Sequence, residues 1–180
     1  MTESLPTRDL LAAIATGDEA AFERLFRAWY PRLAEHAMRM LGDRDQAEDA
    51  AQEVFLALWR GRDRLPEPDA LAGYLHRAVR NRSLNQLRRC KGDHVDVDGL
   101  LSVAVAPEGQ ARLEAADLQR RILLALEALP PRTREVFLLS RDQQLGYAAI
   151  ADTLEISVKT VETLMGRALR ALREQLLGSG

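Results

Sequence analysis

A chain of 180 residues has room for one or two small domains, and 47% apolar residues are ample for a packed core, while 5% aromatics suit an all-helical protein. The net charge of −2 excludes a global cationic field, so any nucleic-acid contact must come from local patches. The single cysteine, Cys90, excludes an internal disulfide, no apolar run approaches the roughly 20 residues that span a bilayer, and MTESLPTRDL lacks the basic start and apolar core of a signal peptide, so a soluble, cytoplasmic protein without membrane insertion is expected.

Thr7 to Ala15 reads as a short amphipathic helix stopped by Gly17, and Asp18 is placed to cap the next one. Phe22, Leu25, Phe26 and Trp29 recur at three- and four-residue steps, a core stripe. Pro31 is expected to open a new helical segment, Pro31 to Leu41, with Gly42 as its left-handed C-terminal residue. From Asp43 to Trp59, Ala47, Ala50, Ala51, Val54 and Leu58 form a buried face. The opposite face carries Asp49, Gln52, Glu53, Leu56 and Arg60. A leucine amid carboxylates on an outward face suits either a solvated acidic helix or a partner surface. Gly61 to Pro68 is a polar, proline-bearing loop.

Leu71 to Lys91 stands apart. It holds Arg77, Arg80, Arg82, Arg88, Arg89 and Lys91 with no acidic residue, and Asp69 is a plausible N-cap. Leu71, Leu75 and Ala78 share one face; Arg77, Arg80, Leu84, Arg88 and Lys91 share the other, with Asn81 beside them. Leu84 and Leu87 leave the first apolar stripe, so the helix is expected to bend or to be covered on two sides. Charge alone leaves two readings open, a solvated basic face and a footprint for phosphate.

Gly92 to about Gln110, with scattered glycines, a proline and Asp93, Asp96 and Asp98, reads as a flexible acidic linker; its VDVDGLLSVAV run could be a short strand, but a lone strand has nothing to pair with. Helical periodicity returns from Ala111 to Leu129, with Leu118, Ile122, Leu126 and Leu129 on one face. Pro131 can start a helix to about Arg141, with Val136, Phe137 and Leu138 or Leu139 as core.

The last segment has a helix-turn-helix layout. Tyr147 to Leu154 is a short first helix, with Ala148, Ile150, Ala151 and Leu154 small or apolar. Glu155-Ile156-Ser157 makes the turn, Ile156 plugging the core and Ser157 capping the second helix. Val158, Val161, Leu164, Met165, Ala168 and Leu172 are expected to bury that helix, while Lys159, Thr163, Arg167 and Arg170 face outward, where they can enter a major groove. Caps, small residues and outward cations agree, which favours DNA binding over an ordinary helical hairpin.

Catalytic patterns are wanting. His36, His76 and His94 look isolated, and Cys90 has no CxxC or histidine pattern around it. Phosphate-cradling glycine loops and a GxSxG elbow do not occur. No metal site, cofactor or enzyme activity is expected.

Two stretches taken together resemble a known family. AEDAAQEVFLALWR, Ala47 to Arg60, resembles the core-polymerase-binding motif of sigma region two, and YLHRAVRNRSLNQLRR, Tyr74 to Arg89, resembles the melting and minus-ten recognition helix. The C-terminal ALPPRTREVFLLSRDQQLGYAAIADTLEISVKTVETLMGRALRALRE resembles sigma region four. The layout is similar to that of bacterial extracytoplasmic-function (ECF) sigma factors, over roughly Asp18 to Lys91 and Leu118 to Leu177. The resemblance implies an all-α fold: region two over residues 1–91, a flexible acidic linker over 92–112, and region four with its helix-turn-helix over 113–180.

It also implies roles. Asp49, Gln52, Glu53 and Leu56 would dock on the clamp helices of the polymerase β′ subunit. Tyr74, Arg77, Arg80, Asn81, Asn85 and Arg88 would contact the minus-ten element or assist melting, and the loop Arg62 to Pro68 would capture an extruded base. Ser157, Lys159, Thr160, Thr163, Arg167 and Arg170 would serve the minus-thirty-five element, with region four on the β flap. The linker would thread toward the RNA channel. An anti-sigma partner is a family expectation. There are departures: Tyr74 stands where tryptophan is common, Asn85 where aspartate is common, Glu155 where glycine often sits, and Glu162 places an acid in the recognition helix.

The expected function is therefore a sigma factor that binds core RNA polymerase and directs promoter-specific initiation. The alternative is a dimeric helix-turn-helix regulator that binds an operator without polymerase docking; it has no need of the outward Asp49-Gln52-Glu53-Leu56 face. A purely helical adaptor leaves the helix-turn-helix unexplained.

Overall fold

The structure is a computed structural model that describes residues 7–91, 120–122, 124–141 and 143–177. The chain divides into two compact units, Met1–Val95 and Asp96–Gly180. The described residues are helical, with no strand among them. The expected linker, its VDVDGLLSVAV run, His94 and Leu118 lie outside the described residues.

Four helices build the N-terminal unit: α1 (Thr7–Ala15), α2 (Glu19–Leu41), α3 (Arg44–Arg60) and α4 (Leu71–Lys91). Their ends are set by the expected residues. Gly17 (φ +92°) turns the chain after α1. Asp18 Oδ1 then accepts the Ala21 N–H at 2.9 Å, and Asp43 Oδ1 accepts that of Gln46 at 2.9 Å. Each satisfies a first-turn donor that the helix itself cannot. Gly42 (φ +68°) closes α2 by donating to the Met38 carbonyl at 2.8 Å.

Pro31 does not open a new segment. It lies inside a single 23-residue α2. Pro31 and Arg27 are both exposed, so water can take the place of the bond that proline cannot donate to the Arg27 carbonyl. Meanwhile Leu25 and Leu33, on either side of the proline, are buried in the same core. That shared burial holds the helix together. Asp69 is not a cap either: it lies within a 3-10 turn, Pro68–Ala70, that runs straight into α4.

Ala47, Ala50 and Ala51 let α3 approach α2 closely, and with Val54 and Leu58 they are buried as expected. Phe55, which the periodicity does not place, is the centre of the core at 2% exposure. Phe26 (4.8 Å between ring centroids), Phe22 (6.2 Å, edge-on) and Tyr30 (6.3 Å) surround it, and Trp59 lies 4.9 Å from Phe22. Burying a ring of that size contributes about 2–3 kcal/mol.

Helix α4 needs neither a bend nor a second cover. One buried stripe runs its length: Leu71, Leu75, His76, Val79, Arg80, Ser83, Leu84 and Leu87. Leu84 and Arg80, expected on the cationic face, belong to this stripe at 7% exposure each.

In the C-terminal unit, residues 120–127 are helical where described, followed by α5 (Pro131–Arg141), α6 (Tyr147–Leu154) and α7 (Val158–Leu177). Leu126, Leu129, Leu138, Ala168 and Leu172 form one core cluster. Val136, Ile150, Leu154, Val161 and Met165 are also buried. Ile122, expected inside, is 37% exposed. The Arg134 guanidinium donates to the carbonyls of Glu127 and Leu129, tying the preceding helix end to α5.

Candidate nucleic-acid interface

Once its alanines, Val54, Phe55 and Leu58 are buried, α3 can present only one remaining sector. Asp49, Gln52, Glu53 and Leu56 all lie there exposed, Leu56 at 53%. An apolar side chain this open, held on a well-packed helix and ringed by polar groups, has the character of an interface anchor. Glu53 is engaged within the molecule: its Oε2 accepts from Arg82 of α4 at 2.5 Å.

The outward sector of α4 carries Asn81, Asn85, Arg88 and Arg89 exposed, with Tyr74, Arg77, Ala78 and Arg82 half-buried. Between α3 and α4 lies a cleft of about 330 Å³, lined by Val54, Ala57, Tyr74, Ala78, Asn81, Arg82 and Asn85. Two amides and a guanidinium at one-turn spacing, beside an aromatic ring, can engage base edges and phosphate. Of the expected contacts, Arg80 does not join this surface. Arg82 does, although it is not among the residues expected there; its spacing of four from Ala78 and eight from Tyr74 is the signal that points to it.

Beneath that surface, His36 and His76 are not isolated. Their Nδ1 atoms meet at 3.0 Å between α2 and α4, and the Trp29 ring lies edge-on to His76 at 6.1 Å. Only one Nδ1 carries hydrogen in such a contact, so the other ring is neutral and accepts. Burial, then the neighbouring His76, Arg39 and Arg80, hold His36 well below its ordinary value; burial, then Arg32, lowers His76 from 6.5 to about 4. The pair is therefore uncharged at neutral pH, a structural wedge under α4.

The loop between α3 and α4 begins with a 3-10 turn, Arg62–Arg64. Arg62 stacks on Trp59 at 4.7 Å and donates to the Trp59 carbonyl at 3.0 Å. It anchors the loop to the end of α3, leaving Asp63, Arg64 and Glu67 exposed.

In the C-terminal unit the turn after α6 is formed by Glu155 in the left-handed region (φ 55°, ψ 45°), with the Ile156 N–H on the Ala151 carbonyl at 3.0 Å. The Arg132 guanidinium donates to the Leu154 carbonyl at 3.2 Å and to Glu135 at 3.3 Å, clamping that helix end. Ser157 caps α7 as expected, accepting from the Thr160 N–H at 3.0 Å; its hydroxyl also meets that of Thr160 at 2.8 Å. Lys159, Thr160, Thr163, Arg167 and Arg170 are all exposed along one side. Lys159 pairs with Glu162 at 3.4 Å, and the Thr163 hydroxyl donates back to the Lys159 carbonyl at 2.9 Å. Val158, expected inside, is 44% exposed, and Ile156 is only half-buried. Arg173, outside the expected set, extends the exposed cationic row.

An outward acidic-apolar face, a basic helix beside it and a helix-turn-helix in a second unit define a two-module helical DNA-binding protein of the transcription machinery. The sigma-70 region 2 family matches residues 25–92, and sigma-70 region 4 matches residues 119–172. The ECF RNA polymerase sigma factor SigM of Mycobacterium tuberculosis is 34% identical, over 94% of this chain and 84% of that protein. SigE of Mycolicibacterium smegmatis is 30% identical over 90% of this chain, which spans 65% of SigE's length. SigW of Bacillus subtilis is 27% identical over 91% of this chain and 92% of its own. Among solved structures, CnrH in complex with the cytosolic domain of CnrY is similar with a TM-score of 0.65 and 26% identity, covering 97% of this chain and 99% of CnrH. RpoE in complex with the anti-sigma factor NepR from Bartonella quintana shares the fold, with a TM-score of 0.63. The chain belongs to the sigma-70 family, within its ECF sigma factors. It is a transcription initiation factor that joins core RNA polymerase and directs it to promoters, and the dimeric regulator is set aside.

Proposed function

We propose that this sigma factor works through three separate surfaces. Asp49, Gln52, Glu53 and Leu56 dock on the β′ clamp helices. Tyr74, Arg77, Asn81, Asn85 and Arg88 engage the minus-ten element, with Arg80 supporting the helix from below. Ser157, Lys159, Thr160, Thr163, Arg167 and Arg170 serve the minus-thirty-five element, Ser157 mainly by fixing the start of the helix, while region four rests on the β flap. Region two then occupies residues 1–91, the linker 92–112 and region four 113–180. The protein acts in the cytoplasm, has no catalytic group of its own, and is held in check by an anti-sigma partner. The two solved complexes, in which similar proteins are bound by CnrY and NepR, support that last point.

The observation that carries the docking role is Leu56, more than half exposed at the centre of an otherwise polar face. Truncating a buried apolar anchor of an interface costs about 2 kcal/mol, and a charge there costs more. Leu56→Arg is expected to weaken binding to core polymerase at least tenfold while leaving the thermal transition within a degree or two. Unchanged core affinity would remove this face from the docking site.

A further inference from the structure

The Glu53 carboxylate is claimed twice. It lies on the face proposed to dock on polymerase, and in the free protein it holds the Arg82 guanidinium at 2.5 Å. Arg82 belongs to the other surface: it lines the α3–α4 cleft with Asn81, Asn85 and Tyr74. Glu53 and Arg82 are 59% and 35% exposed, so either can exchange its partner without unpacking the core. No covalent or conformational rearrangement is needed for the exchange; a side-chain rotation suffices.

We infer that the Glu53–Arg82 ion pair is a latch between the two surfaces: it withholds Arg82 from phosphate until a cationic group of the polymerase takes Glu53. This rests on the docking role proposed above for Glu53. A carboxylate cannot be shared fully between two cations that approach from different helices, and a guanidinium bound to carboxylate is lost to a phosphate oxygen. Docking and single-strand binding are therefore coupled, and the coupling is reciprocal. An exposed ion pair of this kind supports a factor of about two to five, not an all-or-none switch. The latch lowers unproductive binding of the free chain to nucleic acid and returns the contact when the holoenzyme forms.

The test uses the full chain and a short labelled single-stranded DNA of random sequence, since a phosphate contact is sequence-independent. Glu53→Gln should raise the affinity of the free chain about two- to fivefold and steepen its salt dependence by about 0.7 in log–log slope, one extra phosphate. The Glu53→Gln/Arg82→Gln double variant should bind no better than Arg82→Gln. Asp49→Asn removes a charge from the same face without touching Arg82 and should give a smaller gain. In holoenzyme assembled with core polymerase, Glu53→Gln should give no gain, because Glu53 is already taken. Wild-type affinity in free Glu53→Gln, a gain that survives Arg82→Gln, or an equal gain from Asp49→Asn would each overturn the latch. Core affinity of Glu53→Gln is measured separately: if undiminished, Glu53 has no docking role and the coupling to polymerase falls with it, whereas the free-chain cycle still judges the ion pair.

Discussion

Arg80 and Arg82 stand two residues apart on one helix and have opposite fates. Arg82 reaches the surface cleft, while Arg80 lies in the buried stripe near the histidine pair. A run of arginines cannot be read as a run of phosphate contacts; each must be placed by its angle on the helix. The histidines teach the same lesson. His36 and His76 are separated by 40 residues and carry no local pattern, so their contact could emerge only from the packing of α2 against α4. Their titration has a definite sign. Both are bases whose folded values are depressed, so the stability they allow is full above the unfolded value of 6.5 and is lost as pH falls toward about 4 for His76. Between pH 7 and pH 5 the loss should be about 2 kcal/mol for His76 alone, more with His36. Trp29 and Trp59, the only tryptophans of the chain, both report on the N-terminal unit. Urea midpoints followed by their fluorescence should fall across that range, and His76→Gln should flatten the dependence; a flat wild-type profile would mean that the imidazoles remain solvated.

At the scale of elements, boundaries are the most legible part of the fold. Asp18, Gly42, Asp43, Pro131 and Ser157 act as local chemistry predicts, because a cap satisfies neighbouring groups within its own turn. Pro31 departs from expectation because the local preference of proline for a helix start is outweighed by the burial of Leu25 and Leu33 on both sides of it. The stripe of α4 is hidden because His76, Arg80 and Ser83 interrupt its leucines, so a count of apolar residues loses the period. Glu155 is the converse case: an unusual residue at the turn is visible in the sequence, and the structure gives the reason it matters, a φ of 55°. A side chain there is strained relative to glycine. Glu155→Gly should stabilise the α6–α7 unit by about 0.5–1 kcal/mol, slowing exchange of the buried Val161 and Met165 amides about two- to fivefold. Unchanged or faster exchange would show that glutamate makes good the strain in the native turn.

Across the whole molecule, function is divided between modules that are each weak alone. The net charge of −2, the Lys159–Glu162 pair and the Glu53–Arg82 pair all temper free binding to DNA. Tethering both modules to one polymerase converts the second contact into an intramolecular one, so affinity appears where initiation occurs. The division into docking, minus-ten and minus-thirty-five surfaces is legible in the sequence because each occupies the solvent sector of an amphipathic helix. The cleft and the latch are not, since they arise from two helices that meet only in the fold.

The most direct test of the central claim is run-off transcription from a library of genomic fragments, with bacterial core polymerase and the purified chain. Discrete transcripts that start only when the chain is added, together with its stable association with core, are the predicted result. No association with core, alongside tight binding of the free chain to a palindromic duplex, would contradict it.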